Sequence, residues 1–580
     1  MTSQFSETWP GGSGNASCHR SPGGSKGIGR FMAWLGLSAG LLTVIFSSLA
    51  WGDTYPKNPD IDILHYTFRL SLSDGTDEIV GETTVDVRFL REGASEFALD
   101  LVKASPEAEG RGMTVSAVTS DLGKIRFEHD RDRLRVLLPV SSEAGQRGRF
   151  TIFYRGLPAT GLRIGPNKHG ERCFFSDNWP NKARHWLPTL DHPGDKATCE
   201  MIVTAPAHYQ VVSNGLLQEE TDLPGNLRRT HWRQSVPIAT WLYVLGVARF
   251  AVDYTQHYEH IPIQTWVYAR DRDAGFYDFA VPTADVLTFY SRWIGPYSYE
   301  KLANVQAASV RGGMEAASAI FYGEASVTGR RDTRWRNVVI HEIAHQWFGN
   351  SVTEVDWDDV WLSEGFATYF TSLFIEHAYG HDKFIETMKQ SRDSVRAFDA
   401  KTPKYRLIHD NLADMSRVTT SQHYQKGAWI LHMLRGLLGD ETFQAGIKEY
   451  YALYQDKNAA TTDFQRAMEE TSGRELGWFL QQWLYQPGGL PKLRGGWRFD
   501  AANRRIVLDL EQVQTDGALY RLPIEVALNF ADNPKSRRER IELTERRQVF
   551  EIPVDHAPVS VVLDPDLWVL MDAEFLKLSP

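Results

Sequence analysis

The chain has 580 residues, 42% hydrophobic and 23% charged, an ordinary globular composition too long for one core that predicts about three or four domains. A formal charge of −10 with no long Lys/Arg run argues against a nucleic-acid partner, and no repeat period points to a solenoid.

The first 52 residues differ in kind from the rest. Residues 1–30 are rich in Gly and Ser and carry Arg20, Lys26 and Arg30, and the apolar stretch Phe31 to Ala50 ends in small residues before Trp51-Gly52. This is the pattern of an export signal with a long n-region. About twenty apolar residues also suffice to span a bilayer, so an uncleaved membrane anchor competes with a cleaved signal. Either reading puts the catalytic part outside the cytoplasm, in a periplasmic or extracellular compartment, possible anchoring included. Removal of the signal leaves Cys173 and Cys199 of the three cysteines, which in an oxidising compartment either pair or remain two buried thiols.

Residues 53–255 show short runs of period two, such as Ile61 to Leu70, Thr84 to Phe89, Leu134 to Leu138 and Phe150 to Tyr154, and predict a β-domain. Helical periodicity takes over near Ala280 and continues to about Tyr485, which predicts a mostly helical domain over 256–488. The breaker cluster Gln486-Pro487-Gly488-Gly489-Leu490-Pro491 closes it. Residues 489–580 return to strands, including Arg505 to Leu510, Ile524 to Leu528 and Val559 to Leu563, and suit a small antiparallel sandwich.

The strongest chemical signal lies in the helical part. Asp332 to Phe348 reads as one helix: Asp332 or Thr333 caps its start, Trp335, Val338, Val339, Ile343 and Trp347 recur at helical spacing, and Gly349-Asn350 ends it. On that helix His341 and His345 lie about 40° apart around the axis, so both imidazoles can reach one cation while Glu342 points beside it. Glu364 opens a second apolar helix, Trp361 onward with a stop at Gly380, and supplies a third ligand. Three protein ligands leave the fourth tetrahedral position of a single zinc ion to water, the arrangement of a catalytic site. In that site Glu342 is the general base that takes a proton from the attacking water and returns it to the leaving amine.

His341-Glu342-Ile343-Ala344-His345-Gln346-Trp347-Phe348-Gly349-Asn350 and Trp361-Leu362-Ser363-Glu364-Gly365-Phe366-Ala367 resemble the zinc signature of the aminopeptidase N family, the M1 metallopeptidases. Gly312-Gly313-Met314-Glu315 is similar to that family's substrate-binding Gly-x-Met-Glu-Asn box, and Tyr424-Gln425-Lys426-Gly427 to its Tyr-x-Lys-Gly block. Weaker similarity includes Gly295-Pro296-Tyr297 with Lys301, and Ala183-Arg184 through Pro188, Asp191, Pro193, Lys196 and Ala197. The resemblance implies a multidomain α+β fold: an N-terminal β-saddle, a thermolysin-like catalytic domain and a C-terminal β-sandwich. It also implies a peptide substrate, with Tyr424 stabilising the carbonyl oxygen and Glu315, Gly312, Gly313 and Met314 binding the substrate's amino end. Outside the resemblance, Tyr424 reads as a half-buried aromatic and Glu315 as a solvated acid. The large helical C-terminal domain of many members has no counterpart before Pro580.

Two positions depart from the family pattern. Ala316 stands where the box ends in Asn, and Asp177 stands where a Gln usually helps to hold the amine. The first reading is therefore a zinc aminopeptidase, and the alternative is a zinc hydrolase of the same family with endopeptidase or epoxide hydrolase preference.

Overall fold

The computed structural model describes residues 57–579 apart from 410, 411 and 413, so the expected export signal or anchor over 1–52 lies outside the described residues. Strand Ile61–Ser71 shows how the period-two runs become a sheet. It buries Ile61 and Ile63, then Tyr66, Phe68 and Leu70, the alternation changing phase at a bulge between Ile63 and His65. This strand sits in a seven-stranded sheet ordered Leu216–Leu223, Leu227–Ala239, Lys196–Pro206, Ile61–Ser71, Ile79–Phe89, Arg147–Leu157, Gly112–Ser120. Only the pair Ile61–Ser71 and Lys196–Pro206 runs parallel in it.

A five-stranded sheet follows, in the order Phe250–Tyr258, Ile261–Tyr268, Leu302–Ala307, Ala319–Gly323, Gly313–Met314. The boundary expected at 255/256 falls inside Phe250–Tyr258, and that strand pairs with Ile261–Tyr268. By backbone hydrogen bonding it goes with the sheet that carries Gly313–Met314. That sheet's inner strands Leu302–Ala307 and Ala319–Gly323 are buried along their whole length, unlike the alternating strands of the first sheet.

Among the described residues the longer helices of the catalytic part are α1 (Arg272–Phe279), α2 (Thr283–Trp293), α3 (Thr333–His345), α4 (Trp361–Tyr379), α5 (His381–Asp399), α6 (Ser421–Leu438), α7 (Asp440–Tyr454) and α8 (Thr461–Ser472). The Asp332 carboxylate caps α3 by accepting from the Arg334 N–H, and α4 stops at Gly380, whose φ of +91° suits glycine. Helix α6 starts on a capping box in which Thr420 and His423 exchange bonds. Helices α4 and α6 cross at two glycines: a Cβ on Gly427 would lie 2.8 Å from the Gly365 Cα. Fully buried Trp347, Trp361 and Trp429 fill the space among these helices.

The C-terminal sandwich comprises a four-stranded sheet (Arg547–Pro553, Arg505–Gln512, Lys492–Asp500, Asp572–Lys577) and a three-stranded one (Asn533–Leu543, Leu522–Phe530, Ser560–Leu563). Cys173 and Cys199 are free and buried, which answers the open choice between a disulfide and two thiols. Burial pushes the Cys173 thiol up to about 11, keeping it protonated and inert. Among the described residues no helix is long and apolar enough to cross a membrane.

Candidate active site

Helix α3 presents His341 and His345 one turn apart, and their Nε2 atoms lie 3.1 Å from each other. Glu364, on the first turn of α4, brings its Oε2 to 3.5 Å from His341 Nε2 and 3.3 Å from His345 Nε2. That oxygen is buried and has no hydrogen-bond partner. Ligands 2.0–2.1 Å from a tetrahedral zinc stand about 3.3–3.4 Å apart, so this triangle is already the size of a zinc ligand set. Two imidazoles and a carboxylate also suit zinc chemically.

The atoms behind the ligands fix their protonation. His345 Nδ1 lies 3.1 Å from both the Phe348 carbonyl oxygen and the Ser363 Oγ. A carbonyl only accepts, so Nδ1 carries the hydrogen and Nε2 keeps its lone pair for the metal. Gly349, at φ +108°, makes the sharp turn that allows this, since a Cβ there would lie 2.3 Å from Ser363 Oγ. Burial opposes charge on His345, yet the carboxylates of Glu315, Glu364 and Glu342 outweigh it and raise the imidazole to about 10. Burial likewise opposes charge on Glu364, but its contacts with His341 and His345 hold it well below the usual carboxylate range. Burial lowers the His341 imidazole below its usual range, so the two rings of the pair are shifted in opposite directions.

Glu342 is buried beside this triangle, with ligating atoms of Glu315, Glu342 and His345 all within 4.8 Å of one another. It rests against the backbone of Gly313, where a Cβ would lie 2.0 Å from Glu342 Oε1. Burial, and after it the neighbouring Glu315 carboxylate, push Glu342 well above the ordinary carboxylate range. Tyr424, on the first turn of α6, donates its hydroxyl to Glu364 Oε1 at 2.6 Å, and its ring stacks 6.0 Å from that of His341.

Gly313–Met314 forms the end strand of the five-stranded sheet, pairing with Tyr322 and Phe321, and Gly312 accepts from the Gly323 N–H at 2.8 Å. Its other edge is the backbone row to which an extended peptide can add. Glu315 follows directly. Burial pushes its carboxyl up to about 7, with His345 opposing and Glu364 and Asp177 adding to the rise. Asp177 stands close enough to act on Glu315, but its Oδ2 accepts from Lys182 Nζ at 3.0 Å, so its charge is partly engaged.

Three residues make contacts to which no sequence signal pointed. Gln346 Nε2 and Asn350 Nδ2 both donate to the Glu315 carbonyl, at 2.9 and 2.6 Å, and Gln346 Oε1 accepts from the Ser318 N–H at 3.0 Å. Both residues lie in the motif block after His345, yet only the fold brings them to Glu315. Ser363 behind His345 is the third. Ala316, at the departing position, is buried.

The peptidase M1 N-terminal domain matches residues 63–242 and the peptidase family M1 domain matches residues 280–483. Human glutamyl aminopeptidase is 30% identical over 353 residues, covering 58% of this chain and 36% of its own. Aminopeptidase M1 of Arabidopsis thaliana is 28% identical, covering 53% of this chain and 36% of its own length. The chain thus spans less than half the length of these curated relatives. An M1 zinc metallopeptidase from Deinococcus radiodurans superposes with a TM-score of 0.64 at 27% identity, covering 76% of this chain and 97% of that one. A mutant of the Deinococcus enzyme bound to a Tyr-Ser-Ala substrate gives the same TM-score at 26% identity, with 76% and 98% covered. A histidine pair, a carboxylate from the next helix and a buried base beside a glycine-lined edge strand define a metallopeptidase-type site. The chain belongs to peptidase family M1.

Proposed function

We propose that this chain is a zinc-dependent aminopeptidase that releases N-terminal residues from peptides, with one zinc held by His341, His345 and Glu364. The observation that carries the reading is the ligand triangle with Glu342, Tyr424 and Glu315 gathered around it. When bound, zinc lowers the pKa of a water to about 7 and polarises a carbonyl. Glu342 takes the proton from the attacking water and delivers it to the leaving amine. The Tyr424 hydroxyl donates to the substrate oxygen as negative charge develops there. The Glu315 carboxylate receives the substrate's α-ammonium, whose charge keeps Glu315 ionised at neutral pH. The substrate backbone extends along Gly312, Gly313 and Met314 as an added strand.

Ala316 removes the side chain with which the family's box ends, and Gln346 and Asn350 hold the Glu315 carbonyl. Asp177 supplies a second carboxylate toward the amine, which favours a free N-terminus. The apolar stretch from Phe31 to Ala50 supports export from the cytoplasm, as a cleaved signal or an anchor. The test is a panel of aminoacyl reporters, including a glutamyl one because relatives carry that name, assayed with and without a chelator, together with one peptide in free and N-acetylated form. The expected result is chelator-sensitive release that acetylation abolishes. Cleavage unaffected by acetylation overturns the exopeptidase assignment and favours an endopeptidase.

A further inference from the structure

Both family matches end by residue 483, so the C-terminal sandwich that starts at Lys492 carries no assigned role. One of its loops reaches the helix crossing on which Glu364 and Tyr424 stand. The loop joins strand Ser560–Leu563 to strand Asp572–Lys577. It is self-braced: the Asp564 carboxylate accepts from the N–H groups of Trp568 and Val569 at 2.7 and 3.0 Å. The Trp568 ring stacks on His432 of α6, with centroids 4.7 Å apart and planes at 22°. Gly436, one turn on, makes room for it, since a Cβ there would lie 2.6 Å from the indole.

His432 ties three elements together. Its Nε2 lies 3.0 Å from the Leu567 carbonyl of the same loop, and a carbonyl accepts, so Nε2 carries the hydrogen. Nδ1 is then an acceptor, and the Tyr369 hydroxyl of α4 donates to it at 3.2 Å. Tyr369 and His432 are both buried, and burial lowers the imidazole to about 3, which keeps this neutral arrangement at all physiological pH. The bridge therefore fastens α4 to α6 on the side of the Gly365–Gly427 crossing away from the metal ligands.

We infer that Trp568 is a positioning residue for Tyr424: the sandwich holds the far arm of α6 and thereby sets the distance between the Tyr424 hydroxyl and the reacting oxygen. The inference rests on the role proposed above for Tyr424. Gly365 meets the α6 backbone at Gly427 and at the His423 carbonyl, and α6 is taken to tilt about its closest approach, at Gly427. Tyr424 lies three residues to one side, about 4.5 Å along the axis, and His432 five residues to the other, about 7.5 Å. A shift of about 1 Å at His432 swings Tyr424 by roughly 0.6 Å in the opposite sense. Misplacement by about 1 Å costs on the order of 100-fold in rate, so a shift of this size costs about 10-fold.

The experiment is a double-mutant cycle on the full-length zinc-loaded protein, read as kcat and KM on the best reporter of the panel, with hydrogen exchange over 421–428 and 430–437. Trp568→Ala is expected to lower kcat about 10-fold with KM within about twofold, and Trp568→Phe to restore most of it. In a Tyr424→Phe background Trp568→Ala should add less than about twofold, because the residue it acts through is already disabled. Exchange should quicken in both segments. Losses that multiply in the double mutant, or an unchanged kcat, overturn the inference. If the wild type hydrolyses no reporter, the proposed function fails, and exchange decides the brace: quickening confined to 430–437 overturns it. Should Trp568→Ala not fold, Trp568→Leu leaves a smaller cavity, removes the stacked ring and carries the same expectations.

Discussion

Glu342 has the most demanding surroundings of any residue in the site. It is buried, raised well above the ordinary carboxylate range first by that burial and then by Glu315, and wedged against a glycine that leaves no space for a methyl group. Removing its proton-transfer capacity while keeping its shape should separate chemistry from metal binding. Glu342→Gln is expected to lower kcat by on the order of 100- to 10,000-fold while one zinc per chain remains by elemental analysis. Gly313→Ala tests the same contact from the other side, because the new Cβ would stand 2.0 Å from Glu342 Oε1. The expected outcome is a kcat loss of roughly 100-fold with an unaltered circular dichroism spectrum, since displacing the base by about 1 Å costs that much. An active Gly313→Ala variant would mean that the base does not depend on this edge strand.

At the scale of elements, the site is a product of where two helices are allowed to touch. Gly365 follows Glu364 and Gly427 lies three residues after Tyr424, so the closest point of the α4–α6 crossing adjoins both functional side chains. Gly427→Ala puts a Cβ 2.8 Å from the Gly365 Cα, and neither backbone can yield as a side chain would. It should destabilise the protein by about 1–3 kcal/mol and lower kcat as well, measured as a fall in melting temperature and in turnover. Helix α3 was legible in advance from its Asp332 cap and helical spacing, though it ends at His345 rather than Phe348, and α4 from its apolar run and the stop at Gly380, with no side-chain cap at its start. The convergence of His341, His345 and Glu364 was legible for the same reason, these residues being separated by one turn and one helix start. Gln346, Asn350 and Ser363 were not, since their partners lie in another element and polar side chains in a motif carry no mark of direction.

On the scale of the whole molecule, the N-terminal β-domain is keyed into the catalytic sheet by buried polar groups. Lys301 Nζ donates to the Ser213 carbonyl at 2.8 Å and lies 4.8 Å from the Trp232 ring centre, while Asn214 Nδ2 donates to the Ala317 carbonyl at 2.7 Å. Burial lowers Lys301 to about 7, against about 10.4 for an unfolded lysine. Between those values the unfolded chain binds more protons, so this group makes stability rise with pH from about 7 to about 10 and contributes no slope below. Lys301→Met removes that slope, and the melting temperature of the variant minus that of the wild type should be larger at pH 6.5 than at pH 9.5 by thermal denaturation. A difference independent of pH would mean that the lysine is not desolvated. The account as a whole depends on the ligand triangle, and diffraction recorded on either side of the zinc absorption edge tests it most directly. One anomalous peak about 2.1 Å from each of His341 Nε2, His345 Nε2 and Glu364 Oε2 is the result expected. A peak held by other residues, or none in zinc-supplemented crystals, would contradict it.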